Sequence, residues 1–355
     1  MPGAAKRIAF IPGDGIGIDV TREALKCLEA LRAARGTLLR CEVFDYGAER
    51  YLRDGTTLPP GEMERFRDEF HAIFLGALGD PRIPDMAHGR DILLAMRFGL
   101  DLYVNLRPVR LFFDRLTPLR GRTTQDIDFV VFRENTEGLY AGVGGFFKKG
   151  TPDEVAVNQD INTRKGVERI IRAAFEFARA RGKRRVCMSD KSNVLRFAHD
   201  LWQRVFHEVA REFPDIEATH LYVDVLAMQM VRAPNQFDVI VTCNMFGDIV
   251  SDLGASLVGG LGLAASANLH PGRTSLFEPV HGSAPKHAGK DVANPMAAIL
   301  TAALMLEHIG LPDDAAVVEG AVRRAIAEGK TTRDLGGELG TRAVGDYVAS
   351  LIRAS

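Results

Sequence analysis

Asn244-Met245-Phe246-Gly247-Asp248-Ile249-Val250-Ser251-Asp252 follows a β-branched run, Phe-Asp-Val-Ile-Val-Thr at residues 237–242, of the kind that fills a buried strand. The chain is predicted to turn at residues 244–247 and then to enter a helix, because Ile249, Leu253, Leu257 and Leu261 recur at helical spacing. On that helix Asp248 and Asp252 stand four residues apart, so their carboxylates face the same way. An exposed helix tolerates such a pair as a solvated polar face, whereas burial makes the repulsion costly unless a cation sits between the charges. A third acid, Asp224, lies in the otherwise apolar Tyr-Val-Asp-Val-Leu-Ala-Met at residues 222–228. Three carboxylates with water suit Mg²⁺ or Mn²⁺.

Outward from this stretch, apolar strands alternate with amphipathic helices. Strands are predicted at residues 8–11, 71–78, 129–132 and 185–188, and helices at 165–181 and 198–211. The alternation indicates an α/β protein with a largely parallel sheet. After the first strand comes Pro12-Gly-Asp-Gly-Ile-Gly17. Gly13 and Gly15 begin a dinucleotide fingerprint, but Ile18 occupies the place of its third glycine, so a structural turn with glycines at positive φ is expected instead. Between Gly142 and Asn158 the pattern weakens into a segment that reads as a hairpin arm. No repeat or flexible linker interrupts the chain, so any domain boundary must fall within compact structure.

With 45 basic and 46 acidic residues the chain has no basic field, which gives no support to a nucleic-acid or acidic-membrane partner. Cys27, Cys41, Cys187 and Cys243 lie far apart without metal-finger spacing and read as reduced core thiols. A strand-like run within the first ten residues leaves no room for a signal peptide, and no stretch approaches a membrane span. The cytoplasm is the expected compartment.

Cationic residues concentrate where an α/β sheet keeps its ligands. Arg133 ends a strand, Arg97 and Arg107 flank residues 101–105, and together they suggest a site for a small di- or tri-acid held by bidentate guanidinium pairing. Lys191 follows the strand at 185–188; near arginines and a metal its ammonium would be disfavoured, making a neutral base plausible. From Glu278 to Pro295 runs a long loop, Glu-Pro-Val-His-Gly-Ser-Ala-Pro-Lys-His onward, whose exposed backbone amides could wrap a nucleotide.

Taken in order, Pro12–Gly17, Asn105-Leu-Arg-Pro108, Arg133-Glu-Asn-Thr-Glu-Gly138, Asp190-Lys-Ser-Asn193, Asn244–Asp252 and Glu278-Pro-Val-His-Gly-Ser-Ala-Pro285 resemble the β-decarboxylating dehydrogenases, the isocitrate/isopropylmalate dehydrogenase family. The resemblance spans nearly the whole chain. It implies a non-Rossmann, isopropylmalate dehydrogenase-like α/β fold of two domains with a mixed sheet running through both. Residues 1–101 and 257–355 would form the large cofactor-binding domain, and 102–256 a small domain carrying the dimer interface and an arm at about 139–160. The active site would lie in the cleft between them, and a homodimer would share its sites, with Lys191 and Asp224 serving the neighbouring subunit. By position, Arg97, Arg107 and Arg133 would hold the malate carboxylates of a 2-hydroxy di-acid. Asp248 and Asp252, with Asp224 of the partner subunit, would hold Mg²⁺ or Mn²⁺, and Tyr140 and Lys191 would move protons. Cofactor contacts would come from Ile16, Glu278, His281, Gly282, Ser283, Ala284, Lys286, His287, Asn294 and Arg333.

Within the family the helix before Arg97 faces the group that distinguishes substrates. Isocitrate enzymes place Ser and Asn where this chain has Asp91 and Leu93, so a third carboxylate would be repelled and left desolvated. Leu93 and Leu94 resemble the isopropylmalate pattern, whereas Tyr103–Phe112 and Arg133–Gly138 are close to D-malate/tartrate enzymes, which supply the second reading. A catalytically silent regulatory subunit is a third, opposed by the filled catalytic positions. The resemblance implies NAD or NADP as cofactor; NAD-using members generally carry an aspartate at the position of Lys286, so Lys286, His287 and Arg333 lean toward the 2′-phosphate of NADP.

Overall fold

β-Branched and aromatic runs make the strands of this chain, and amphipathic runs make the helices that cover them. The structure, a computed structural model, describes residues 5–355 and is α/β. Two units are distinguishable. The first takes the chain through Leu102, with Leu111–Pro118 and Val258–Ser355. With elements numbered along the chain, its strands are β1 (Lys6–Gly13), β2 (Leu39–Val43), β3 (Ala72–Ala77), β11 (Ala265–Leu269) and β12 (Ser275–Pro279). They lie in the order β2-β1-β3-β12-β11, parallel except for β11 against β12. Its helices are α1 (Ile16–Arg35), α2 (Ala48–Asp54), α3 (Glu62–Glu69), α4 (Ala87–Gly99), α9 (Met296–His308), α10 (Pro312–Ala327) and α11 (Thr341–Arg353). Strand β3 is buried throughout, and α9 is buried on nearly every side, as expected of a helix apolar all round.

The turn after β1 is structural, as its sequence predicts. Gly13 and Gly15 have φ of 72° and 56°, and a Cβ on either would collide with the carbonyls of Ala77 and Ser283. Asp14 between them is buried and accepts from the amides of Ala48 (2.6 Å) and Gly79 (2.7 Å) and from His88 Nε2 (2.8 Å). One side chain therefore ties the turn to the start of α2, to the exit of β3 and to the first turn of α4.

The second unit comprises Tyr103–Arg110 and Leu119–Leu257. Its strands are β4 (Val104–Arg110), β5 (Asp128–Glu134), β8 (Arg185–Asp190), β9 (Glu217–Tyr222) and β10 (Val239–Thr242), in the order β4-β5-β10-β8-β9. Only β4 is antiparallel. A separate hairpin, β6 (Gly144–Phe147) with β7 (Val155–Asn158), is exposed along its whole length, and the helices are α5 (Arg164–Ala180), α6 (Ala198–Ala210), α7 (Val223–Arg232) and α8 (Asn244–Leu257). Thr242 pairs with Arg133 on one side and Ser189 on the other, and Asp190 pairs with Tyr222. Four parallel strands thus end in register, and the residues that follow them emerge along one edge.

Two sequence expectations about α8 are corrected here. The helix starts at Asn244 with no separate turn, Gly247 N–H donating to the Cys243 carbonyl at 2.9 Å, and it ends at Leu257, so Leu261 lies beyond it. Its buried residues are Asn244, Gly247, Val250, Ser251, Gly254, Ala255 and Leu257; of the expected stripe Leu257 is buried and Leu253 half-buried, while Ile249 is exposed, as is Met245. The reason is close approach: a Cβ at Gly247 would meet Arg133 Cγ at 2.5 Å, and one at Gly254 would meet Val109 Cγ2 at 2.7 Å. Cys27, Cys187 and Cys243 are buried free thiols and Cys41 is partly buried; burial pushes the Cys27 thiol up to about 12. Among the described residues no helix is long and apolar enough to cross a membrane.

Candidate active site

Asp248, on the first turns of α8, is the centre of a charged cluster. Its Oδ1 accepts from Arg133 Nη1 at 2.5 Å and lies 3.3 Å from Arg107 Nη2, and its Oδ2 accepts from the Tyr140 hydroxyl at 2.8 Å. Arg107 also donates to Ser251 Oγ (2.7 Å) and Asp252 Oδ1 (3.3 Å). Arg133, at the end of β5, is sealed in, its side chain 3% exposed, and Asn244 Oδ1 accepts from its Nε at 3.0 Å. Asp248 is 39% exposed. The buried Arg133 and the partly buried Arg107 thus lie against carboxylates that reach solvent. Tyr140 lies with its ring 5.1 Å from the Arg133 guanidinium. Partial burial and the Asp248 carboxylate push its phenol up, which keeps the hydroxyl protonated at neutral pH. Partial desolvation also pushes the Asp252 carboxyl up; Arg107 opposes this and the Asp248 charge adds to it. Two hard, mutually repelling carboxylates on one helix face, with no thiol or imidazole among them, form a donor set suited to a hard divalent cation.

Lys191 and Asp224 emerge farther along the same edge, after β8 and β9. The Lys191 Nζ donates to Asp224 Oδ1 at 2.5 Å and stands 5.7 Å from the Tyr222 ring. That hydrogen bond holds the Asp224 carboxyl below its usual range. Asp224, the acid within the otherwise apolar stretch, lies exposed in the first turn of α7, where a negative charge favours the helix. Within one chain the near neighbour of Lys191 is this carboxylate, and β10 separates β8 from β5 and places Ser189 about two strand spacings, roughly 10 Å, from Arg133 of the same chain. Among the described residues no three acidic, histidine or cysteine side chains gather within one chain as a metal site.

The remaining candidates lie in the first unit. Arg97 is buried in the last turn of α4, with Glu278 Oε1 at 4.0 Å, and Glu278 also accepts from Asn268 Nδ2 at 2.8 Å. Leu93 and Leu94 are half-buried, Leu93 against a core that includes Ile92 and Met96. The loop expected from Glu278 to Pro295 is partly ordered: Glu278 and Pro279 belong to β12, and residues 285–287 form a 3₁₀ turn entered through Ala284 at φ 36°. The Ser283 carbonyl accepts from the Ile16 amide at 2.8 Å, joining this loop to the glycine turn, with His281 and Gly282 just before it. Lys286 and His287 are exposed on the 3₁₀ turn, and Arg333 is exposed on another. Asn294 is buried and fastens the two segments, donating to Asp334 Oδ2 at 2.9 Å and accepting from the Met296 amide at 2.9 Å.

Sequence reasoning missed several supporting groups. Glu134 is buried, its carboxyl pushed up by burial, and accepts from the amides of Thr136 (2.9 Å) and Glu137 (2.8 Å), holding the turn toward Tyr140. Asp190 and His199 flank Lys191, and Asp14 meets His88 across 74 residues. Glu134, Asp14 and Asp190 were signalled only as charged residues within quoted motifs, and His88 and His199 lie outside every such motif.

This edge of an α/β sheet sets guanidiniums against paired carboxylates with a phenol alongside, an arrangement of the kind used by enzymes that act on small anions. The isocitrate/isopropylmalate dehydrogenase family matches residues 7–348, and the chain belongs to that family. Among its relatives, the 3-isopropylmalate dehydrogenase of Thermobifida fusca (strain YX) is 46% identical over 354 residues, 99% of each chain. That of Bifidobacterium longum (strain DJO10A) is 49% identical over 331 residues, 92% of this chain and 95% of the relative. The crystal structure of isocitrate dehydrogenase from Methylococcus capsulatus superposes with a TM-score of 0.88 at 40% identity, covering 98% of this chain and 99% of that one.

Proposed function

We propose that the chain catalyses the oxidative decarboxylation of 3-isopropylmalate, passing a hydride to a nicotinamide cofactor. The cluster of Arg107, Arg133, Tyr140 and Asp248 carries this reading. Arg97, Arg107 and Arg133 bind the substrate carboxylates. Lys191 of the partner subunit takes the proton of the 2-hydroxyl as the C2 hydride leaves. The β-keto acid then loses CO₂, and Tyr140, its phenol kept protonated, returns a proton to C3. Asp248 and Asp252, with Asp224 of the partner subunit, would hold a divalent cation. When bound, that cation supplies the Lewis acidity that eases deprotonation of the hydroxyl and offsets enolate charge.

The homodimer rests on two observations. Large apolar side chains stand exposed on the second unit, Phe146 and Phe147 on the hairpin, Val194 and Phe197 beside Lys191, and Ile249 on α8, with Phe197 94% exposed. The metal donors of one chain also fall in two places, Asp248 with Asp252 and Asp224 with Lys191.

For the substrate, Leu93 and Leu94 present an apolar face for an isopropyl group, and burying such a group stabilises by roughly 1.5–3 kcal/mol. The expected kcat/KM for 3-isopropylmalate therefore exceeds that for D-malate by about one to two orders of magnitude. A substrate panel with Mg²⁺ and either cofactor checks this; equal turnover of malate or tartrate would put the D-malate/tartrate reading in its place.

For the cofactor, Lys286 and Arg333 are exposed cations, with the His287 imidazole beside Lys286, on segments that Asn294 and Asp334 tie together. They favour a 2′-phosphate, so a modest preference for NADP is expected. Lys286→Asp removes one attraction and adds a repulsion, which shifts the kcat/KM ratio toward NAD by about tenfold. An unchanged ratio in the variant would show that Lys286 does not read the 2′-position.

A further inference from the structure

His199 is a buried histidine for which the mechanism above has no use. It occupies the second position of α6, 1% exposed, and its Nδ1 accepts from the backbone amide of Lys191 at 2.8 Å. A nitrogen that accepts an amide N–H carries no proton, so the ring proton sits on Nε2, which lies 3.8 Å from Asp160 Oδ2. The carbonyl of Lys191 is held as well, accepting from the amides of Val194 and Leu195 at 2.9 Å each. Both backbone groups of Lys191 are therefore tied down, and the acceptor for its amide is a side chain eight residues later. The same imidazole meets the Phe246 ring edge-on, centroids 5.5 Å apart, on the first turn of the helix that carries Asp248.

We propose that His199 is a positioning residue for Lys191, fixing through its Nδ1 the backbone from which the proton-accepting side chain projects. This rests on the assignment of Lys191 as the proton acceptor. A base displaced by about 1 Å can lose on the order of a hundredfold in rate. The role depends on one ring nitrogen, and that makes it testable, because an asparagine amide oxygen occupies the Nδ1 position whereas a glutamine amide reaches the Nε2 position.

The experiment measures kcat and KM of His199→Asn, His199→Gln and His199→Leu with 3-isopropylmalate, Mg²⁺ and cofactor, beside Lys191→Met, with a thermal melt of each. The expected result is a kcat lowered by about ten- to a hundredfold in the Gln and Leu variants, with KM within about twofold of the original. His199→Asn should recover to within about threefold, since it restores an acceptor to the Lys191 amide. A merely structural histidine would lower Asn and Gln alike, in step with their melting temperatures, and that outcome, or full activity in the Leu variant, would overturn the proposal. If Lys191→Met itself keeps full activity, the assignment of Lys191 fails instead, a result separable from the first.

Discussion

Asp248→Asn is expected to lower turnover by at least about a hundredfold while leaving the fold in place. Asparagine keeps the shape of the side chain but removes the charge, and the charge does three things here. It answers the Arg133 and Arg107 guanidiniums, it accepts from the Tyr140 hydroxyl at 2.8 Å, and it would be one ligand of the divalent cation. The stability cost is on the order of 1 kcal/mol, because the carboxylate is partly exposed and water screens it. Steady-state rates, a melting curve and a Mg²⁺ titration of the variant separate these effects. The same argument requires the original enzyme to lose its activity in excess chelator and regain it with Mg²⁺ or Mn²⁺. Full activity in chelator would remove the cation from the proposed chemistry.

Mixing two inactive variants, Lys191→Ala and Asp248→Ala, is expected to restore activity once subunits exchange. In one chain Lys191 lies with Asp224 beyond β8 and β9, and Asp248 lies with Asp252 on α8. If each site takes Lys191 and Asp224 from the partner, a hybrid dimer holds one site with both defects and one with neither. Random exchange at equal concentrations makes half the dimers hybrids, so recovery should approach about a quarter of the original activity. Absence of recovery, with exchange demonstrated by native mass spectrometry of differently tagged chains, would place each site within one subunit.

Strands and most helices were legible because their signals are local. A β-branched run such as 239–242 carries its own preference for extended backbone, and the periodicity of α5 and α6 marks helices whatever they pack against. The glycine turn was legible for the same reason: Gly13 and Gly15 at positive φ announce a backbone shape that few other residues adopt. The acids and arginines of the candidate site could be named from motif and spacing, since residues four apart on a helix must share a face.

What the sequence could not contain is which face of an element meets a neighbour distant along the chain. On α8 the large residues Met245 and Ile249 point outward and the glycines inward, because the Arg133 side chain and Val109 press against that surface and leave no room for a Cβ. Asp224 is exposed although its neighbours in sequence are apolar, because β9 ends at Tyr222 and a helix begins one residue later. Asp14 meets His88, and the Lys191 amide meets His199, only when separate strands and helices have been brought side by side. Local pattern determines the elements and the kinds of groups they carry; packing and register, which depend on contacts between remote residues, decide which of those groups touch.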